Sequence, residues 1–597
     1  MSDQIESLYE RELYYIRTLA AEFAQERPKI ADRLNLEQQT GVSDDPHVER
    51  LIEAFAFLTA RVRLKLDDEF PEITDALLNI LYPHYLSPIP SMSVVQFHPN
   101  PEQSQLTEGH TIPSGSSLYS REIEGVPCRF QTSYPVSLWP LLLTEAQYQT
   151  VPFGSGVNLP AGLKDVEAMV RLNLKTNEGI TFSDLKLDRL RFFLSGDEQT
   201  IHQVYELLFN HVSHVVLSPV DASPGQPPIV LSADCLKPVG FGREEGLLPY
   251  GNQSFMGYRL LTEYFTFPSK FMFVDVTGLE AVCRESFGDR LELFFLFDRE
   301  DSGLETRVDA DLFRLGCCPI VNLFKHLAEP IRLTQTKTEY HVIPDVRHVN
   351  SMEVYSVDSV ASTDLNSGKT VEYRPFHSMQ HGTDSEQSPA YWYAHRRASM
   401  RAGDSGSEVY LSLVDMSFDP KLLPDEVLTI STTCTNRNLP GEIRAAGGES
   451  WSFQLEGQAP LRKIVPVVSP TSPERLPFSE NRWRLISHLA LNHLSIVDHQ
   501  TGAEALKEIL KLYDYGRTRV SAQHISGILS VSSRRKTARL SDGLMSGFCR
   551  GIEVTMEFDP EKYTGTGLYL FASVLDRFVG LYTSMNSFTL IAKMCLA

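Results

Sequence analysis

LYERELYYIRTLAAEFAQERPKIADRL, residues 8–34, lies near the start of the chain and distributes its apolar residues with helical spacing. The apolar positions recur every three or four residues, which places them on one side of a helix. With Ile5 included they are Ile5, Leu8, Tyr9, Leu13, Ile16, Leu19 and Phe23. Such a helix serves as a cleavable leader, a membrane-surface anchor, part of a local core, or an interface with a partner.

Charge argues against the first two of these roles. The first residues are acidic and lack the basic segment and apolar core of a secretory leader. The polar side of the helix carries both signs of charge, whereas a membrane-surface helix is rich in basic residues. No run approaches the ~18 to 20 apolar residues that a membrane span needs. We therefore expect a cytoplasmic protein without direct membrane insertion, whose first helix packs in a local core or on a partner.

A second helix is predicted for DDPHVERLIEAFAFLTARVRLKLDDEF, residues 44–70. Asp45 is placed to cap it and Pro46 to occupy its first position. Its apolar stripe consists of Val48, Leu51, Phe55, Leu58 and Val62. A third helix is predicted from Pro71, and the prolines of YPHYLSPIP (82–90) end it. Residues 1–90 are thus predicted to be a helical segment.

After residue 90 the pattern changes to short runs rich in β-branched and aromatic residues, separated by turn residues. We predict a β-rich domain at 91–309 with one helical insertion, TIHQVYELLFNHV (200–212), and a second β-rich domain at 310–475. A Pro/Ser-rich boundary follows, and 476–597 returns to helices mixed with strands. The predicted fold class is therefore α+β and multidomain.

Composition narrows the possible partners. The 597 residues carry a formal net charge of −21, which disfavours nucleic acid and bare anionic membrane because both are negatively charged. The eight cysteines are scattered without a CxxC pair, so neither a zinc site nor a disulfide framework is predicted. This spacing is typical of a protein from a reducing compartment.

Few motifs in the sequence indicate a catalytic or ligand-binding site. NSGKT (366–370) resembles part of a phosphate-binding loop, but Thr363 stands where the motif needs a glycine. His202, His211 and His214 lack a carboxylate or cysteine at ligand spacing, so no metal is predicted. Cys317 and Cys318 lie in an apolar run and are expected to be buried. No catalytic residue, metal or cofactor is predicted.

Three further motifs contain basic residues. YWYAHRRASMR (391–401) and RRKTAR (534–539) could contact nucleic acid or lipid, but neutralising acidic loops or contacting an acidic protein face fits the overall charge better. TNRNLP (435–440) is predicted to be a structural turn in which Arg437 pairs with a carboxylate, with a partner contact as the alternative.

Several separated blocks, in order and from end to end, resemble the TssF family of type VI secretion baseplate subunits. They include YERELYYIR (9–17), the segment 44–92, GYRLLTEYFTFPSKFMF (257–273), LGCCPIVNLFKHLAEPI (315–331), CTNRNLP (434–440) and LYLFASVLDRFVGLYTSMNSF (568–588). IPSGSSLYS (112–120) is also similar to the IPxGT turn of contractile phage-tail wedge proteins, with Ser116 in place of threonine.

The resemblance implies a non-catalytic structural role. Two TssF copies and one TssG would form a wedge, six wedges would surround the VgrG spike hub, and TssK and TssE would connect them to the membrane complex and the sheath. The protein would then be cytoplasmic and docked at the inner membrane through the baseplate, where it would help to assemble the sheath and trigger its contraction.

Partner-binding residues follow from this expectation and from the helical stripes. The candidates are Leu13, Ile16, Phe55, Leu58, Val62, Phe571, Leu575 and Phe578, where the last three could equally pack a local core. Other classes remain open: a hydrolase with a carboxylate pair in a cleft, a nucleic-acid or lipid binder using Arg534, Arg535, Lys536 and Arg539, and a wedge protein of a phage tail or extracellular contractile injection system.

Overall fold

The computed structural model of the chain divides into two compact units, Met1–Ile80 with Ser479–Ser487 and Leu81–Phe478 with His488–Ala597. The described residues are 2–31, 35, 37, 42–43, 45–68, 77–79, 81–100, 106–154, 159–160, 163, 165–220, 227–251, 255–284, 287–334, 336–365, 367–376, 390–401, 403–415, 426–447, 451–475, 485–486, 502–542, 545–563, 565–581 and 589–596.

Helices form the described part of the first unit. They are α1 (Ser2–Glu26), α2 (Pro28–Ala31) and α3 (Pro46–Asp68). Helix α3 begins as predicted, because the Asp45 carboxylate accepts a hydrogen bond from the His47 N–H at 2.9 Å and Pro46 occupies the first helical position. The two predicted helices are therefore confirmed. Of the third, residues 77–79 are helical and most of the others lie outside the described residues.

The contact between α1 and α3 is built from small side chains. Arg17 of α1 bonds Glu49 of α3, with Nε 3.1 Å from Oε1, and this pair identifies the two faces that meet. Helical spacing places alanines on those faces, and all of them are buried: Ala21 and Ala24 on α1, Ala56 and Ala60 on α3. Small residues let two helices approach closely, so this alanine seam lets α1 and α3 pack together, with Tyr9 meeting Phe57 edge-on at a ring-centroid distance of 6.4 Å.

The second unit contains the strands and the remaining helices. The first strands are β1 (Met92–Pro99), β2 (His110–Ile112), β3 (Ser117–Ile123), β4 (Val126–Thr132), β5 (Val136–Leu138), β6 (Leu141–Thr150), β7 (Ala168–Thr176), β8 (Arg189–Leu194), β9 (Val212–Pro219), β10 (Ile229–Ser232), β11 (Leu236–Pro238), β12 (Phe273–Thr277), β13 (Arg290–Phe297), β14 (Phe313–Leu315) and β15 (Cys317–Val321). The rest are β16 (Phe324–Leu327), β17 (Ile331–Arg332), β18 (Tyr340–Val342), β19 (Glu353–Asp364), β20 (Thr370–Pro375), β21 (Ala390–Ala398), β22 (Ser407–Asp415), β23 (Glu426–Thr435), β24 (Gln454–Leu455), β25 (Leu461–Val468), β26 (Ile528–Asp542), β27 (Met545–Phe558) and β28 (Thr589–Leu596).

These strands form antiparallel sheets, apart from the parallel pairs β20–β21 and β27–β28. The larger sheets have the orders β24-β3-β4-β15-β1-β25, β10-β9-β13-β7-β6, β11-β12-β8-β14 and β16-β23-β19-β20-β21-β22-β18, with β17 beside β23. The smaller ones are β2-β5 and β26-β27-β28. The first sheet takes strands from both predicted middle domains, and the boundaries 1–90, 91–309, 310–475 and 476–597 stay a prediction. The α+β, multidomain fold class is confirmed.

The helices of the second unit include several that the sequence did not predict. They are α4 (Glu198–Asn210), α5 (Met256–Thr266), α6 (Glu280–Arg284), α7 (Leu439–Gly447), α8 (Gly502–Tyr513), α9 (Arg519–Ser526) and α10 (Leu568–Leu581). The prediction of a single helical insertion before residue 309 was therefore wrong, because α5 and α6 also lie there. Eight consecutive residues of α5, Gly257–Tyr264, are buried, including Arg259 and Glu263, so α5 lacks the exposed polar face of an ordinary amphipathic helix.

The C-terminal elements agree with their predicted types. Helices α8 and α10 and strands β26, β27 and β28 lie where helical and β-rich patterns predicted them. The predicted helix RWRLISHLALNHL (482–494) lies largely outside the described residues, among which residues 485 and 486 are helical. Helix α10 packs on α5, and this contact ties the end of the chain to the middle of the second unit.

An asparagine pair connects the first sheet to the sheet containing β23. Asn322 follows β15 and Asn436 follows β23, and both are fully buried. The Asn436 N–H donates to Asn322 Oδ1 at 2.7 Å, and Asn322 Nδ2 donates to Asn436 Oδ1 at 2.8 Å. Asn436 Oδ1 also accepts from the backbone N–H of Arg129 on β4 at 2.7 Å. The two amides thus satisfy one another and a neighbouring strand where no water can reach.

Two acidic side chains near the end of the first sheet are less well satisfied. Glu474 exchanges backbone hydrogen bonds with Ile89, and Asp514 follows α8 and accepts from the Ser521 hydroxyl at 2.6 Å. Burial raises the pKa of Glu474, as does the nearby charge of Asp514. Burial also raises the pKa of Asp514, although hydrogen bonds from Ser521 and Arg517 oppose it. Glu474 Oε2 and Asp514 Oδ1 are buried without a hydrogen-bond partner.

We expect Asn436→Ala to lower the stability of the second unit by about 2–4 kcal/mol, because it leaves the buried Arg129 N–H and Asn322 amide without their acceptor. The shift of the unfolding midpoint of the full chain checks this. Asn438→Ala, at a half-buried neighbour, is the matched control and should cost less. Equal losses for the two variants would contradict the special role of Asn436.

Glu474→Gln should stabilise the chain at pH 7.5. A carboxyl whose pKa is raised on folding contributes stability at low pH and loses it as pH rises through the folded-state pKa. Removing the charge should therefore gain about 0.5–1 kcal/mol at pH 7.5 and less at pH 5, as measured by the unfolding midpoint. Glu178→Gln, at an exposed turn, is the control and should change neither midpoint. A destabilised Glu474→Gln variant would show that the ionised form is the stabilising one.

Candidate partner-binding surface

Exposed apolar side chains are concentrated in the first unit. Ten of the twenty-four exposed large apolar side chains of the described residues lie within the first 80 residues. On α1, α2 and α3 and at residue 77 they are Tyr14, Tyr15, Leu19, Phe23, Ile30, Leu51, Phe55, Phe57, Leu58 and Leu77. Contiguous apolar groups on a protein surface mark interaction sites far more often than scattered ones do.

Helix α3 presents the clearest apolar stripe. Leu51, Phe55 and Leu58 are 70%, 64% and 56% exposed, and their spacing of four and three residues aligns them along one face. At about 100° per residue, that face lies opposite the one carrying Ala56 and Ala60. The alanine seam therefore directs the large side chains away from α1. We call Leu51, Phe55 and Leu58 the α3 stripe.

Helix α1 carries a second apolar row. Tyr15, Leu19 and Phe23 are 58%, 45% and 37% exposed and follow one another at intervals of four residues. The sequence reading included Leu19 and Phe23 in its apolar face but did not choose them as partner-binding residues. Their i, i+4 spacing relative to Tyr15 was the available signal, although it does not reveal which side of the helix faces solvent.

The partner-binding residues predicted on α1 and α3 differ in exposure. Phe55 and Leu58 are exposed on α3, and Leu13 and Ile16 are half-buried on α1. Val62 belongs to α3, but its side chain lies outside the described ones.

The C-terminal candidates occupy a local core instead. Phe571, Leu575 and Phe578 are fully buried within the chain. Phe571 stacks on Tyr264 with ring centroids 5.5 Å apart, and Phe578 meets Phe255 at 6.1 Å. These three side chains are inaccessible to a partner in this structure, so the candidate surface consists of residues on α1 and α3.

Polar contacts fix the side of α3 that faces α1, opposite the α3 stripe. Glu49 accepts from Arg17 and from the Ser43 N–H at 3.0 Å. Burial alone would raise the pKa of Glu49, but these hydrogen bonds and the Arg17 charge outweigh it, so the pKa lies below its usual value. Glu49 is therefore ionised at neutral pH and locks the pairing of α1 with α3.

Buried carboxylates of the second unit are engaged by cations. Glu263 contacts Lys270 and also accepts the N–H groups of Leu247 and Leu248, while Glu353 accepts Arg475 Nη2 at 2.5 Å. Asp275 accepts a two-pronged contact from Arg191 at 2.6 and 2.8 Å. Each of these contacts stabilises packing, because a buried carboxylate needs a counter-charge.

A hydrolase with a carboxylate pair needs one carboxyl group with a raised pKa, and among the described residues Glu474 and Asp514 have this property. A cavity of about 350 Å³ in the second unit is lined instead by other residues, among them Phe97, Val136, Trp139, Leu142, Arg189 and Arg314. Glu474 and Asp514 are not in its lining, so this cavity and the acidic pair do not combine into a carboxylate cleft.

The three histidines considered in the sequence lie in different environments. His202 on α4 is half-buried, and the loss of hydration lowers its pKa to about 4, so it is neutral at pH 7. His211 ends α4 and its Nδ1 lies 2.9 Å from Asp298, while His214 lies on β9. Among the described residues no group of three His, Cys, Asp or Glu side chains is arranged to hold a metal.

The basic motif of β21 is neutralised internally. Arg396 donates to the carbonyls of Val354 and Tyr355 at 2.7 and 2.8 Å. Arg397 lies 2.9 Å from Glu339, and Arg401 lies 3.2 Å from Glu408. This agrees with the prediction that the motif neutralises acidic neighbours.

The TNRNLP turn and the adjacent cysteines also follow the sequence reading. Arg437, at φ 52°, donates from Nε to Asp404 at 2.9 Å, which confirms the predicted carboxylate pairing. Hydrogen bonds and the Arg437 charge hold the pKa of Asp404 at about 2, although burial opposes them. Cys317 and Cys318 are buried on β15, as predicted.

Among the helices of the described residues, none combines the length and apolar character needed to cross a membrane.

Known proteins resemble this chain over nearly its whole length. The sequence model of the family described as "Type VI secretion system, TssF" matches residues 1–593. The type VI secretion system component TssF1 of Pseudomonas aeruginosa is 38% identical over 605 residues, which cover 99% of this chain and 96% of that protein.

Two solved structures share the fold. A chain of the TssK-TssF-TssG baseplate subcomplex, determined by cryo-electron microscopy, superposes with a TM-score of 0.71 at 29% identity, covering 91% of this chain and 95% of that one. A chain of the baseplate complex from the type VI secretion system gives a TM-score of 0.56 at 26% identity, with 98% and 96% covered. The family model and the identity to TssF1 establish that the chain belongs to the TssF family of the type VI secretion system.

Proposed function

We propose that this chain is a non-catalytic structural subunit of a type VI secretion baseplate, in which it forms a wedge with a TssG-like protein and a second copy of itself. Its relatives are chains of baseplate complexes, one of which contains TssK, TssF and TssG. The observation in this chain that carries the proposal is the α3 stripe, an apolar row on the helix face opposite its own packing partner.

The energetics support a docking role for this stripe. Burying a Leu or Phe side chain is worth about 1.5–3 kcal/mol, so three such residues supply several kcal/mol when a partner covers them. Apolar residues enclosed by a polar rim are the usual arrangement of stable interfaces. We expect Phe55 and Leu58 to be the central anchors, with Leu51 and the Tyr15, Leu19 and Phe23 row beside them, and with Leu13, Ile16 and Val62 at the edges.

The proposal extends to the rest of the machine. Two copies would combine with one TssG, and the wedges would surround a VgrG spike hub and contact TssK and TssE. Through these contacts the chain would help to assemble the sheath and to trigger its contraction. It would work in the cytoplasm, docked at the inner membrane through the baseplate. The cation-paired carboxylates favour this structural role over a carboxylate-dependent hydrolase.

Phe55→Glu with Leu58→Glu should abolish co-purification of the full chain with its TssG-like neighbour, lowering recovery at least about tenfold, because each charge would be buried in an apolar interface. The measurement is native mass spectrometry of the two co-expressed proteins. Both positions are exposed, so the circular dichroism spectrum and unfolding midpoint of the isolated variant should stay unchanged.

Met400→Glu is the matched control, since Met400 is a 94% exposed apolar residue far along the sequence from α3. This variant should bind like the wild type. A complex that survives the double substitution would remove the α3 stripe from the interface. Absence of any complex with wild-type chain would refute the proposed wedge and leave a phage-tail or extracellular injection system, or a hydrolase, to be tested.

A further inference from the structure

Strands β26 and β27 form a long hairpin that only partly belongs to the core. Near its base, Val531 on β26 and Val554, Met556 and Phe558 on β27 are buried. Among the described residues, β28 pairs with β27 from Ile552 to Phe558. The seven residue pairs from Lys536–Gly551 to Asp542–Met545 therefore form a two-stranded ribbon, about 20 Å long at ~3.3 Å per residue.

The two faces of this ribbon differ in charge. In an antiparallel ladder directly opposed residues share a face, and residues two apart along a strand share it too. Arg534 and Lys536 lie on one face with Glu553, and Lys536 Nζ is 2.6 Å from Glu553 Oε1. Cations on that face are accordingly compensated by a carboxylate.

By register, the opposite face of the ribbon has arginine positions and no acidic position. The register places Arg535, Thr537, Arg539 and Arg550 on this face, together with Ile552. It continues the side of the sheet on which Val531 and Val554 are buried at the base. Arg535 and Thr537 are exposed. We call this the arginine face of the ribbon.

Two physical arguments indicate that another surface covers the arginine face. An isolated two-stranded ribbon is marginally stable in water, so a ribbon that keeps its form benefits from a docked surface. Residues 534–551 contain five Lys or Arg and one acidic residue, Asp542, a local charge of +4 in a chain of net charge −21. The remainder of the chain is therefore strongly acidic, and two copies repel each other unless a basic element lies between them.

We propose that the arginine face of the β26–β27 ribbon docks on an acidic surface of a second copy of this chain. Charge complementarity selects this occupant, since every copy presents both the basic ribbon and the acidic surface it needs. The inference rests on the proposed assembly role and assigns a specific surface to the contact between copies. Such a contact fixes orientation and register more than it adds affinity, and it weakens as salt increases.

The test places a photoreactive amino acid at Thr537 in the full chain, co-expressed with its TssG-like neighbour. Irradiation at low salt should yield an adduct of twice the chain mass, and mass spectrometry should locate the joined peptide in an acidic segment of the second copy. Arg535→Gln with Arg539→Gln should lower the yield at least about fivefold, the effect of two ion pairs of ordinary strength.

The matched control removes the same charge from the same strand on the other face. Arg534→Gln with Lys536→Gln should leave the adduct within about twofold of the wild-type yield, and raising the salt to 0.5 M should reduce the wild-type yield. An adduct with the TssG-like protein, with lipid or nucleic acid, or none at all, would overturn the inference, as would equal losses in both variants. Recovery of the TssG-like complex is read from the same samples, so failure of the ribbon contact is distinguishable from failure of the proposed wedge.

Discussion

The reciprocal hydrogen bonds between Asn322 and Asn436 are the interaction on which the second unit depends. Both amides are fully buried where the chain leaves one sheet and enters the next, and Asn436 also serves the backbone of β4. A buried amide has no water to replace a lost partner, so the two sheets are fixed relative to each other by a small number of bonds. Arg437 extends this connection by pairing with Asp404, in the loop that precedes β22.

The first unit follows a different design. Its helices meet through alanines, an ion pair and the Tyr9–Phe57 ring contact, which leaves most of their large apolar side chains outside the contact. For a protein that works alone this would be unfavourable, because exposed leucine and phenylalanine promote aggregation. In a subunit of an assembly such exposure is expected, because the surface that lowers the solubility of the free chain is available for a partner to cover.

Charged residues have one use inside the second unit and another on the surface of the chain. Within the second unit, arginines and lysines neutralise carboxylates that packing has buried, as in the pairs Glu263–Lys270 and Glu353–Arg475. Over the whole chain the surface is acidic, and the β26–β27 ribbon concentrates positive charge beyond the edge of the core. Internal pairs therefore serve stability, whereas we propose that the charge concentrated on the ribbon orders contacts between molecules.

The sequence by itself determined the type of many elements and the family. Helices α1 and α3, the Asp45 cap and the strand-rich middle were readable, because they depend on periodicity and on chemistry within a few residues. The need of Arg437 for a carboxylate was also readable, but its partner Asp404, 33 residues away, was not. Tertiary structure alone decided which side of each helix faces solvent. The stripe of Phe55 and Leu58 and that of Phe571 and Phe578 look alike as patterns, yet one is exposed and the other is buried by α5 and its neighbours. Burial depends on residues hundreds of positions away, and it also hid α5, in which eight consecutive residues, polar ones included, are buried.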